Sequence, residues 1–478
     1  MKKFLHVLKA LCVTTVLGVA CFALTSCEKK DAAHTITFYT TMGDKLQEPL
    51  NKAIDKFEEK FPGWTVEAVF PGGYDEVRSA IVGDLQANSQ PDLAYCYADH
   101  VAQYLTSGKV VNMSNLINST DALKVSVKQG EEWSEKTYDE IVGYTAEEIA
   151  DFVPGYYAEG YAENYANYSS YGFGAKDVLT LPFQKSTEIL YYNADALEEL
   201  EAEVPQTWDE LWEICTLAKE KWPECTPLGY DSESNWFITM CQQNGWGYTS
   251  ASSDNHYLFY NENTVAWLEE LRGHFQNKLF TTQEIYGAYS SNLFVKGIEE
   301  GGTLFSIGSS GGASYQNPAG KFNWGVAPVP GSVVGEDEYG DPVINNSAIS
   351  QGPSLVMFQT SAENSAEKQI LTWEFVKILL DPEYQCKFAG TSGYMPARLS
   401  SYEVDYYKEL LKDDSDIVVA TVLCAKGMAD RYYTSPAFVG SSTARTQVGS
   451  ALVYATMGTK TADAALRDAA KKCGAKLD

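Results

Sequence analysis

The chain has 478 residues, of which 45% are hydrophobic, 21% charged and 13% aromatic. That balance is globular, and it excludes disordered, collagenous and coiled-coil classes. With 64 Asp+Glu against 36 Lys+Arg the net charge is −28, which excludes nucleic acid and anionic lipid headgroups as electrostatic partners and favours a monomer.

At the N-terminus Lys2, Lys3 and Lys9 precede an uncharged stretch over 10–26, which closes on Leu24-Thr25-Ser26-Cys27 before a charged run at 28–31. A basic start, an apolar middle and small residues at the break make a secretory signal. The four residues ending at Cys27 resemble a bacterial lipobox, which implies cleavage before Cys27 and lipid on its sulfur. The expectation is a signal over 1–26, a tether over 27–34, and an extracytoplasmic domain held to the membrane through Cys27 alone. A single uncleaved spanning anchor is the other reading of the same stretch.

Beyond the tether the pattern is α/β. Residues 35–39 alternate and are β-rich, a first strand. Leu46, Leu50, Ile54 and Phe57 recur at helical spacing and stop at Pro62 and Gly63. Strand character returns over 64–70, a helix over 74–87, and a third strand over 92–97. Strand, helix, strand, helix, strand at this spacing predicts right-handed parallel crossovers, with ligands beyond the carboxyl ends of the strands. Those ends fall at 40–44, 71–74 and 97–100. Residues 144–176 are tyrosine-rich without a packing period and read as an irregular loop, with a Tyr-lined surface over the site as the alternative. A strand is expected at 188–192, and Thr207 with Glu210 forms a capping box that opens a helix. Further helices are expected near 263–277, 290–299, 364–380, 402–411 and 415–428, and a short strand and turn over 321–330. A single core rarely grows past ~250–300 residues, so two lobes are expected. With no repeat and no long linker, several crossing strands should join them.

Chemistry-bearing motifs are sparse. Beyond Cys27, seven cysteines (Cys96, Cys215, Cys225, Cys241, Cys386, Cys424, Cys473) are scattered without a CxxC, so neither zinc nor a redox pair is indicated. A Cys215–Cys225 bridge and buried free thiols both fit, and the odd count leaves one thiol unpaired. There is no HExxH, no GxSxG and no Walker loop. Among 64 carboxylates any one pair says little about glycoside hydrolysis. The chain is read as a non-enzyme without metal or cofactor.

Five segments in order then carry a resemblance: TTMG (40–43), LPFQKSTEILYYN (181–193), VPQTWDEL (204–211), FNWGVAPVP (322–330) and TSGYMP (391–396). The chain resembles the extracellular solute-binding proteins of the carbohydrate ABC-importer class, family 1, and within it the glycerol-3-phosphate-binding branch. The resemblance implies a two-lobed, periplasmic-binding-protein-like fold of type II, with a hinge of crossing strands. Lobe 1 would comprise 35–183 and 309–362, and lobe 2 would comprise 184–308 and 363–478. It also implies a solute closed between the lobes and handed to the transmembrane subunits of an ABC permease. Carried over position by position, Tyr74 would lie against a glycerol moiety, and Ser186 and Ser309 would bind phosphate. Gly352, Tyr394 and Arg445 match further ligand positions. A glutamate that holds the polyol in this branch falls near Ala98, with Asp99 one residue later as its substitute.

The residue types fit such a ligand on their own terms. A phosphate monoester wants several small donors and a cation; serine hydroxyls, glycine amides and an arginine fork supply them. The run 309–312 suits a backbone anion nest or an ordinary Gly/Ser turn, and Arg445 by itself would read as a surface arginine. Lys185 is either a second cation at the site or a solvated side chain. A neutral mono- or oligosaccharide would instead ask for aromatic faces. Trp236 is the first candidate among Trp246, Tyr230 and Tyr394, whereas Trp208 and Trp373 read as core. A surface adhesin or sensor lipoprotein and a secreted glycosidase are the readings from other classes.

Overall fold

In the computed structural model, residues 31–252, 255–360, 362 and 364–477 are described. The expected signal and Cys27 lie outside them. Thr35–Tyr39 forms the strand its alternation predicts and pairs in parallel with Thr65–Val69 on one side and Leu93–Cys96 on the other. Leu93–Cys96 is buried along its whole length, as a central strand covered on both faces must be. The helices between these strands are amphipathic. Gln47–Lys60 buries Leu50, Ala53 and Phe57, and Tyr74–Ala87 buries Val77 and Ile81. Ser354–Met357 and Leu181–Pro182 complete the sheet, the former antiparallel to both its neighbours.

A second five-stranded sheet runs Phe280–Thr282, Leu228–Tyr230, Phe305–Ser309, Glu188–Asn193 and Trp324–Pro328 from edge to edge. Its first three strands are parallel, and Glu188–Asn193 is antiparallel to the strands on either side. One face packs on Trp208–Lys221, Glu233–Asn244, Glu262–Gln276 and Ser441–Thr456 in a single apolar cluster. The capping box holds: Thr207 Oγ1 accepts from the Glu210 amide at 3.3 Å, and the Glu210 carboxylate accepts from the Thr207 amide at 3.2 Å.

The two sheets are the cores of two lobes, and three stretches of chain connect them. Gln184–Lys185 pairs antiparallel with Met395–Pro396, Ser186 bridges to Gln351, and Ala348–Ile349 pairs in parallel with Tyr432–Tyr433. Backbone hydrogen bonds thus tie the crossing stretches to one another, which gives a hinge defined by main chain.

The lobe boundaries differ from those expected. Ser365–Leu379 and Pro382–Ser392, expected in lobe 2, bury Trp373, Phe375 and Phe388 in the core of the first sheet, where Phe375 meets Phe38 at 6.0 Å and Phe388 meets Phe183 at 5.1 Å. Conversely, Trp324–Pro328, expected in lobe 1, is an edge strand of the second sheet. The tyrosine-rich stretch is not an irregular loop either. It folds into short helical turns at Ala146–Ala150, Pro154–Ala158, Ala162–Asn164 and Tyr168–Tyr171, and Tyr156 and Tyr165 enter the core. Two hairpins, Ala122–Gln129 with Glu132–Ile141 and Ser332–Glu336 with Pro342–Asn345, were not anticipated. All seven cysteines are free thiols, Cys215 and Cys225 included.

Candidate functional site

Strand ends make the site. Tyr97 follows Leu93–Cys96 and Tyr74 opens the helix after Thr65–Val69, so both leave the first sheet at its carboxyl edge. Their rings stack with centroids 4.4 Å apart. Facing them across the gap are Glu188 and Ser309 at the paired ends of two strands of the second sheet, Asp231 just past Leu228–Tyr230, and Asn235 in the helix Glu233–Asn244. Tyr394 and Arg445 arrive from the last fifth of the chain. Together they bound a cavity of about 730 Å³ between the lobes.

Two features shape its lobe 2 wall. Ser309 caps the turn Ser310–Tyr315, its Oγ accepting from the Gly311 amide at 3.2 Å, which leaves its O–H to donate. A Cβ at Gly311 would fall 2.5 Å from the Tyr394 ring, so only glycine lets that ring lie against the end of the strand. The Tyr394 and Tyr74 hydroxyls are hydrogen-bonded, which ties the ring to the lobe 1 side of the cleft.

Arg445 is the cation among the residues that line the main cavity. Arg445 donates to the Asn235 side-chain oxygen, and among the described residues it makes no ion pair. Burial pushes the Glu188 carboxyl up to about 8, despite the Tyr230 hydroxyl and the Asn235 amide bonded to it. Burial likewise raises Asp231 to about 6, against the Ser290 amide that donates to it at 2.7 Å. Near neutral pH the main cavity therefore carries the Arg445 cation, the Asp231 carboxylate and a Glu188 carboxyl that is mostly protonated.

A smaller cavity of about 70 Å³ adjoins the first and shares Tyr97, Gln351 and Arg445 with it. Asp99 and Gly352 line this second space. Lys185 does too, but it is neither solvated nor free: its ammonium lies 2.6 Å from Glu159, which also accepts from Ser350 Oγ at 2.7 Å.

Of the residues singled out in the sequence, the structure brings Tyr74, Ser309, Tyr394 and Arg445 to the main cavity, and Asp99 and Gly352 to the adjoining one. Ser186 lines neither; it is buried in the hinge, exchanging backbone hydrogen bonds of 3.0 and 2.8 Å with Gln351. Trp236 is a correction. It is 1% exposed in the lobe 2 core, stacked on Tyr230 at 4.5 Å, and does not face the cleft. Successive helical residues point about 100° apart, so the helix that buries Trp236 delivers its neighbour Asn235 instead. Glu188, Asp231, Asn235 and Tyr97 were missed. Glu188 lay within the quoted 181–193 segment, and Tyr97 within a strand end marked as ligand-facing, so the position was legible although the side chain was not.

Residues 52–415, more than half of the chain, match the family described as bacterial extracellular solute-binding protein. The chain belongs to that family. The sn-glycerol-3-phosphate-binding periplasmic protein UgpB of Salmonella typhimurium is 23% identical over 411 residues, covering 82% of this chain and 80% of the relative. Its Escherichia coli counterpart is 22% identical over 394 residues, covering 78% and 76%. Among solved structures, UgpB from Mycobacterium tuberculosis in complex with glycerophosphocholine superposes with a TM-score of 0.69 at 16% identity, covering 92% of this chain and 97% of that one. Maltose-bound MalE3 of T. maritima gives 0.67 at 17%, covering 92% and 99%. At these identities the structural likeness establishes the two-lobed fold and nothing about the solute. Among the described residues no helix is long and apolar enough to cross a membrane, and no group of His, Cys, Asp or Glu is placed to hold a metal ion.

Proposed function

We propose that this solute-binding protein captures glycerol 3-phosphate or a related polyol phosphate between its lobes and delivers it to an ABC permease. The observation that carries the reading is Arg445, a half-buried guanidinium whose one side-chain partner in the cleft is a neutral amide. A half-buried guanidinium that makes no ion pair among the described residues keeps donors for a ligand, and an anionic group is the one that would use them best. The Ser309 hydroxyl lines the same cavity and supplies a second donor. Tyr74, Tyr97 and Tyr394 offer flat apolar faces to the C–H groups of a polyol, with Asp99 and the Gly352 backbone in the adjoining space. The relatives named for sn-glycerol-3-phosphate binding support the same choice.

A neutral mono- or oligosaccharide is the second reading, favoured by the tyrosine wall and by a cavity volume well within the usual range for larger ligands. Capture and delivery need no covalent step in either case: closure of the lobes buries the solute, and the closed form presents it. We place the domain on the extracytoplasmic face, tethered through lipid on Cys27. Calorimetric titration of the chain from Glu28 onward with glycerol 3-phosphate, glycerol and maltose separates the readings. Heat from the phosphate ester alone supports the first; heat from maltose alone replaces it with the second.

A further inference from the structure

We infer that Glu188 is a specificity-determining residue of the cleft. With its proton on, it leaves Asp231 as the one carboxylate facing Arg445 across the main cavity and admits an anion; with its proton off, it adds a second carboxylate on the guanidinium's own side and turns an anion away. This rests on reading the cleft as an anion site, and it adds the group that sets the site's charge.

The geometry is a relay. Glu188 opens the strand Glu188–Asn193 directly opposite Ser309 of Phe305–Ser309, and both side chains line the main cavity. The Tyr230 hydroxyl donates to Glu188 from below. Asn235 stands between Glu188 and Arg445. Its side-chain oxygen accepts from the guanidinium, so its amino group is what donates to the carboxyl. Carboxyl and guanidinium are thus linked through a single amide and do not form a direct pair. Such a link lets the protonation of one be felt by the other without locking them into a salt bridge.

The other titratable groups around Glu188 leave it as the one that changes state near pH 8. Burial holds its carboxyl at about 8, whereas Asp231, past the end of Leu228–Tyr230, sits at about 6 and is ionised throughout a window from pH 7 to 9. Tyr230 is raised well above the ordinary tyrosine value, and Tyr433 of the hinge pair Tyr432–Tyr433 is raised too, so both stay neutral there. The sign follows from linkage. A bound anion favours the protonated form of Glu188, so binding above its titration point takes up a proton, and affinity falls by up to about tenfold per pH unit. A phosphate monoester completes its own second ionisation near pH 6, below this window. A neutral solute feels no such limb.

The test is titration of the wild-type chain and of Glu188→Gln with glycerol 3-phosphate and with sulfate, whose charge is constant, at pH 7, 8 and 9. Wild type should lose about tenfold in affinity for both anions between pH 7 and 9, about fivefold of it between pH 8 and 9. Glu188→Gln should hold its pH 7 affinity across the range. A ligand-free reading accompanies it: wild type at pH 7 should give an infrared carbonyl band of a protonated carboxyl that fades by pH 9. Equal affinity of wild type at pH 7 and 9 overturns the inference and leaves the anion reading standing. Absence of the band at pH 7 does the same. If neither anion binds at any pH, the anion reading falls and takes the inference with it.

Discussion

Arg445 hydrogen-bonds to the side-chain oxygen of Asn235, an amide, at the position where a carboxylate would have cancelled its charge. The two residues come from separate helices, Ser441–Thr456 and Glu233–Asn244, which pack together in the lobe 2 core. Core packing thus holds the guanidinium at the cleft wall, and its binding role is separable from the stability of the lobe.

Arg445→Ala should therefore weaken glycerol 3-phosphate binding by roughly 30- to 100-fold, the equivalent of about 2–3 kcal/mol for a charge-assisted hydrogen bond. Its melting temperature should change little, because no buried carboxylate is left without a partner. Calorimetry and a thermal melt check both halves. A variant that melts early but binds normally would contradict the assignment.

Trp236 is expected to behave in the opposite way. Trp236→Ala removes a buried ring stacked on Tyr230, and large-to-small changes of this kind cost about 3–5 kcal/mol. Denaturant unfolding should show that loss, while the folded fraction keeps its affinity. Selective loss of a ligand at unchanged stability would return Trp236 to the site.

The hinge makes two demands on its residues. Gly352 has φ +91°, and a Cβ there would lie 2.0 Å from the Gln184 carbonyl oxygen of the neighbouring crossing stretch. Gly352→Ala should destabilise by about 1–3 kcal/mol through backbone strain, with the clash adding to it. Glu159→Gln removes the counter-charge of Lys185, whose side chain is 3% exposed. The cost should be about 3 kcal/mol, and Lys185→Met in the same chain should recover much of it. Urea unfolding of the two single variants and the double variant measures each.

Glu188 also leaves a mark on stability as a function of pH. Its folded-state value lies near 8 against an ordinary 4.5, so the folded chain favours the protonated form. That contribution is fully present below pH 4.5 and is lost as pH rises through the window up to about 8. Glu188→Gln should remove this decline, leaving the variant more stable than wild type at pH 8 by on the order of a few kcal/mol. A wild type whose stability is flat across that window, with the variant parallel to it, would contradict the placement of this carboxyl.

Much of the architecture was legible because its elements carry strong local signals. The strand at 35–39, the helix at 74–87 and the capping box at Thr207 and Glu210 appear where alternation, spacing and cap chemistry put them. What local pattern could not reach is which sheet an element joins. The helix over 365–379 is apolar enough to suit either lobe, and only the meeting of Phe375 with Phe38 decides it. The same limit explains the site. Tyr74, Tyr394 and Arg445 could be named by resemblance, but Asn235 and Trp236 are adjacent in sequence, and only the phase of their helix separates a cleft residue from a core residue. Glu188 read as one more carboxylate among 64, and its burial is a property of the fold around it. Leu123, Val125 and Val127 alternate within the first hairpin, a signal that was present and passed over.

An anionic head group is expected to rest on Arg445. A crystal structure of the chain grown with glycerol 3-phosphate tests it most directly. The expected structure has a closed cleft with phosphate oxygens in hydrogen-bond contact with the Arg445 guanidinium and the Ser309 hydroxyl, and the glycerol carbons against Tyr74 and Tyr394. Phosphate bound away from Arg445, or a cleft that stays empty under phosphate ester and fills with a sugar ring, would contradict it.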